Sequence, residues 1–107
     1  MSVYMIIDAA VKDRGKYDRY LDQVRPIVEA HGGRYHVRGE NIRPLGTWRP
    51  ERIIVIEFPS GDAIRRWLAS PEYAAIASLR EEGADTQAIL VEGYPAPYNK
   101  SRRNNTF

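Results

Sequence analysis

Asp8, His36 and Arg38 are the residues of this 107-residue sequence whose types and spacing best suit proton-transfer chemistry. A histidine beside a carboxylate exchanges protons at neutral pH, and an arginine two positions further along the same strand offers a planar fork for a carboxylate or enolate oxygen. Tyr4, Arg34, Glu57 and Glu92 fall in the same strand phase and make a second polar group, while Trp48 in a neighbouring loop supplies a lid or an anchor. These five are the expected substrate contacts. An ionised carboxylate cannot be sealed alone in an apolar cavity, so Asp8 and Glu57 demand arginine partners, water or a raised pKa, and each outcome leaves a polar pocket. The same residues also admit a structural reading, in which Asp8 with Arg38 and Glu57 with Arg34 are ion pairs that fix the register of an interface.

Four segments with period-two alternation have to position these groups: residues 3–10, 34–38, 52–58 and 87–93. One phase is apolar, with Val3, Met5, Ile7, Tyr35, Val37, Ile54, Ile56, Phe58, Ile89 and Val91 expected to face the core. The other phase mixes Ile6, Ile53, Val55 and Leu90 with the charged residues named above. Between the first two segments, Asp13 caps a helix with an apolar stripe of Tyr17, Tyr20, Leu21, Val24, Ile27 and Val28, and Gly32 and Gly33 stop it. His31 at that helix end meets free carbonyls. Ser60 caps a short helix presenting Ala63, Ile64, Trp67 and Leu68, and Ser70 with Pro71 opens another carrying Tyr73, Ile76 and Ala77 inward. Arg80 continues that stripe and must snorkel or pair inward. Right-handed crossovers fold this order into an α+β, ferredoxin-like, four-stranded antiparallel sheet of order 4-1-3-2, with helices on one face. Residues 1–93 form that domain, and 94–107 read as an irregular basic C-terminal arm.

The mixed face is too apolar for water and too polar for a core, and two copies laid sheet to sheet would bury it around a shared chamber. The expected partners are therefore a second copy of the chain and a small organic molecule. Composition narrows the remaining classes. The formal charge of +2 resides in Lys100, Arg102 and Arg103; without that tail the body stands at −1, which points away from nucleic acid. Base-stacking sheets also need aromatics on the open face, where only Tyr4 stands. No apolar run approaches a membrane span, and the first residues enter a strand without a signal-like flank, so the expected location is cytoplasmic. The absence of cysteine removes thiolate chemistry, and no phosphate-cradling loop, HExxH helix or serine elbow is present, so no cofactor or metal is expected.

Three stretches together, HGGRYHVRG from His31 to Gly39, VIEFPS from Val55 to Ser60, and AIRRWLASPEYAAIASLR from Ala63 to Arg80, resemble the bacterial family named domain of unknown function 1330, of the dimeric α+β barrel superfamily. The resemblance runs from residue 3 to about residue 93 and implies a ferredoxin-like protomer and a face-to-face dimer. Arg38, Glu57, Trp67, Ser70, Tyr73 and Arg80 fall on the family pattern, whereas His36 stands where an aliphatic residue is common and Glu40 where a small one is usual. The superfamily includes cofactor-free monooxygenases and isomerases, so the resemblance leaves open a small-molecule enzyme or a non-catalytic dimeric module.

Overall fold

The computed structural model describes residues 1–94, and their order is β1 (Val3–Val11), α1 (Arg14–Ala30), β2 (Arg34–Gly39), β3 (Arg52–Phe58), α2 (Gly61–Ala69), α3 (Pro71–Gly83) and β4 (Ala84–Glu92). The basic arm expected at the C-terminus lies, beyond Tyr94, outside the described residues. The strands form one antiparallel sheet in the order β2-β3-β1-β4, the expected order read from its other edge.

Local chemistry sets the helix ends. Asp13 Oδ1 accepts from the Lys16 amide at 3.1 Å, which satisfies one of the donors that α1 leaves free at its start. Pro26 sits inside α1 on its exposed side, where the missing amide costs a backbone bond without disturbing the buried stripe. Gly32, with φ of +84°, takes the left-handed turn that ends the helix. His31 Nδ1 lies 2.9 Å from the Ile27 carbonyl, one of the last free acceptors of the same helix. Ser70 holds the joint between α2 and α3, accepting from the Tyr73 amide at 3.1 Å and donating to the Trp67 carbonyl at 2.7 Å. Gly83 ends α3 against the backbone of Tyr17, where an added Cβ would stand 2.8 Å from the Tyr17 nitrogen. No side chain fits that approach, and the Gly83 carbonyl uses it to accept from the Lys12 and Asp13 amides.

Between the helices and the sheet, Tyr17, Val28, Ile56, Phe58 and Ile64 are almost wholly excluded from water. The predicted inward residues of β1 and β3 take that side.

Two strand phases differ from the sequence expectation. In β4, Leu90 lies opposite Met5 and Ala88 opposite Ile7, so Ala88, Leu90 and Glu92 belong to the helix side, while Ile89 and Val91 join Ile6 and Tyr4 on the open face. Residues 88–91 are apolar in both phases, so alternation carries no preference there. Long-range pairing decides instead, through Ala84 seated opposite Val11 and only 3% exposed. In β2 the register shifts between Tyr35 and Val37: Tyr35 lies opposite Ile56, but Val37 lies opposite Val55 and Arg38 opposite Ile54. The extra residue, His36, makes a β-bulge, which turns Val37 to the open face and Arg38 to the helix side.

Candidate functional site

The open face has an apolar middle of Ile6, Val37, Ile53, Val55, Ile89 and Val91, with polar residues at both ends. At one end His36 Nε2 lies 2.7 Å from Glu57 Oε1, Ser2 Oγ donates to Glu57 Oε2 at 2.5 Å, and the Tyr4 and His36 rings stand 5.8 Å apart. Arg34 is the strand partner of Glu57. The Ser2 and His36 hydrogen bonds hold the Glu57 carboxyl below its ordinary 4.5. Because the folded value is depressed, the contribution of Glu57 to stability is present above pH 4.5 and is lost as pH falls through the lower folded value. Urea midpoints measured across that acid range should fall less steeply in Glu57→Gln than in the native chain; parallel curves would show that the cluster does not couple to folding.

At the other end Trp48 Nε1 donates to Asp8 Oδ2 at 3.2 Å, with the indole 61% exposed, so Trp48 anchors the 40–51 loop to β1. A shallow depression of about 320 Å³ lies there, bounded by Ile6, Asp8, Trp48, Ile53, Gln87 and Ile89.

The structure therefore separates the expected catalytic group. Asp8 pairs with Trp48 and His36 with Glu57, at opposite ends of the face, and Arg38 is on the other side of the sheet, its guanidinium 5.9 Å from the centre of the Tyr35 ring. Of the expected substrate contacts, Tyr4, Arg34 and Glu57 do gather at one end. Glu92 does not join them, because the β4 register places it on the helix side opposite Val3.

Sequence reasoning assigned no pocket to the space between helices and sheet, where Trp67, Tyr73 and Tyr17 read as ordinary core. A cavity of about 190 Å³ lies there. Tyr17, Tyr20, Tyr35, Trp67 and Tyr73 line it together with Met5, Ile7, Val24 and Ile56, and the exposed lining residues Leu68 and Ala88 mark its opening to solvent. Arg80 pairs inward. Its Nε donates to the Tyr73 hydroxyl at 3.1 Å and its Nη1 to Thr86 Oγ1 at 2.7 Å. The Tyr20 and Tyr73 hydroxyls are 3.4 Å apart, and burial together with the Tyr73 contact pushes the Tyr20 phenol far above its ordinary value. Burial likewise raises Tyr35 to about 12. Both phenols thus remain protonated at neutral pH. The Tyr20–Tyr73 contact uses one of two hydroxyl protons and Arg80 occupies an oxygen as donor, so the other proton has no protein acceptor among the described residues. Trp67 Nε1 is buried without a hydrogen-bond partner among the described residues. The signal in the sequence was Arg80 itself, a cation on the buried stripe of α3.

Among the described residues no His, Asp and Glu gather in threes to hold a metal, and no helix is long and apolar enough to cross a membrane.

The model of the family described as domain of unknown function, DUF1330, matches residues 2–94, which is the whole sheet with its three helices. The chain belongs to the DUF1330 family. Solved structures share its fold at low identity. The RPA0582 protein of unknown function from Rhodopseudomonas palustris is 18% identical with a TM-score of 0.76, over 87% of this chain and 82% of that one. SnoaB, a cofactor-independent oxygenase from Streptomyces nogalater, is 14% identical with a TM-score of 0.65, over 92% and 98%. A dimeric ferredoxin-like protein of unknown function from Jannaschia sp. is 10% identical with a TM-score of 0.62, over 87% and 100%. No curated protein matches the chain. For this DUF1330 chain the neighbours establish the ferredoxin-like α+β fold.

Proposed function

We propose that this DUF1330 chain is a homodimer, paired through its open sheet face, that binds a small aromatic molecule bearing an acceptor oxygen in the cavity between helices and sheet. The observation that carries the reading is the aromatic cavity of about 190 Å³ whose lining includes the Tyr20 and Tyr73 pair, with one hydroxyl proton lacking a protein acceptor among the described residues. Small-molecule sites are concave and apolar with few polar groups, and an apolar cavity of about 150 Å³ suffices for benzene. A ring stacks against the tyrosines while its oxygen accepts from the free hydroxyl, recovering part of the cost of burying an unpaired donor, about 1–3 kcal/mol. Cofactor-free proton transfer, or oxidation of the bound molecule by molecular oxygen as co-substrate, is the chemistry we attach to this site. The description of SnoaB as a cofactor-independent oxygenase supports it. Pairing is supported by the apolar middle of the open face and by the dimeric description of the Jannaschia relative.

Titration of the protein with 1-naphthol, followed by NMR and calorimetry, tests the reading. Resonances of Trp67, Tyr73 and Arg80 are expected to shift, and Ala88→Phe at the mouth should weaken binding at least about tenfold with the helical spectrum unchanged. Absence of binding to the native protein, or equal binding to the blocked variant, would reject it.

A further inference from the structure

Around the start of α1, three guanidinium groups from three different elements line one pocket of about 250 Å³: Arg14 of α1, Arg38 of β2 and Arg52 of β3. One local rule is broken to put them there. The bulge at His36 reverses the phase of β2, and without it Arg38 would have faced the opposite side of the sheet. Bulges that re-aim a side chain in this way are frequent beside functional sites. Arg52 is only 9% exposed, its guanidinium 5.5 Å from the centre of the Tyr17 ring. Of its five donors, a single contact is made among the described residues, to Glu40 at 3.3 Å, and that carboxylate is 62% exposed. The remaining Arg52 donors are not shut away from water but stand at the pocket, where an oxyanion can take the place of solvent.

We propose that this pocket binds the carboxylate of a small anionic ligand, at a site separate from the aromatic cavity. Asp18 and Glu40 also line the pocket, so the three arginines exceed the acids by one positive charge. A monoanionic carboxylate neutralises that single surplus charge, whereas a phosphate dianion would leave the pocket with an uncompensated negative charge. The planar fork of an arginine presents paired donors to the two carboxylate oxygens, and Gly39, where an added Cβ would meet nothing within 4 Å, leaves the entrance clear.

The test is an NMR titration of the full chain at low ionic strength with acetate and, separately, with inorganic phosphate; both are too polar for the aromatic cavity. Acetate is expected to shift the Arg14, Arg38, Gly39 and Arg52 resonances along a saturating curve, and Arg38→Gln, at an exposed position, should weaken that response about tenfold, the loss of one charge-assisted pair. Arg14→Gln should weaken it in the same direction. Shifts scattered over all surface arginines, an unchanged response in both variants, or no response at millimolar acetate would overturn the site. Saturation by phosphate alone would overturn the carboxylate assignment. None of these outcomes depends on 1-naphthol binding.

Discussion

Val55→Asp is expected to hold the protein as a monomer at concentrations where the native chain is expected to pair. Val55 lies in the middle of the open face, opposite Ile6 of β1 and Val37 of β2, and it is half-buried within the protomer. A carboxylate there reaches water in the monomer, so the helix-side core is untouched. In a sheet-to-sheet dimer it is shut among apolar side chains, and twofold symmetry brings in a second copy of the same charge. An unpaired buried charge costs about 3–5 kcal/mol, so the association constant should fall by at least about a thousandfold. Sedimentation velocity with circular dichroism as the folding control measures it. A native chain that sediments as a monomer at micromolar concentration, or a variant that remains dimeric, would dismiss pairing through this face.

Trp67→Ala should be among the most damaging single substitutions in the protomer. The indole is 2% exposed, stacks on Phe58 at 5.4 Å between ring centres and meets the Tyr73 ring edge-on at 5.0 Å. Truncation of a buried tryptophan costs about 3–5 kcal/mol, a large part of the 5–15 kcal/mol that typically holds a domain. Trp67→Phe should cost much less than its lost volume implies, because it also removes an indole N–H that is buried without a partner. Urea unfolding monitored by circular dichroism separates the two variants; equal losses would mean that ring packing is not what Trp67 supplies.

The helix faces and the phases of β1 and β3 were legible in the sequence because each depends on neighbours a few residues apart, and the strand order followed from the order of elements with right-handed crossovers. Alternation in Val3, Met5 and Ile7, and in Ile54, Ile56 and Phe58, has one apolar phase, and burying it leaves a single answer. Asp13, Ser60 and Ser70 announced their helices because a cap acts three residues away. Family membership could be recognised in the same way, from contiguous stretches. The site residues were harder to place, because their positions depend on contacts distant in sequence. Residues 88–91 satisfy either face of a strand, and only the seating of Ala84 against Val11 chose which of them meet the helices. The extra residue at His36 leaves no mark in the alternation before it, yet it moves Arg38 across the sheet and into the company of Arg14 and Arg52. Asp8 and His36 share a strand phase but not an end of the face, so same-face reasoning joined residues that the register keeps apart. The aromatic cavity was hidden for a further reason: Tyr20, Trp67 and Tyr73 have the spacing of core residues, and whether a core closes fully or leaves a space is decided by how α1, α2 and α3 rest on the sheet.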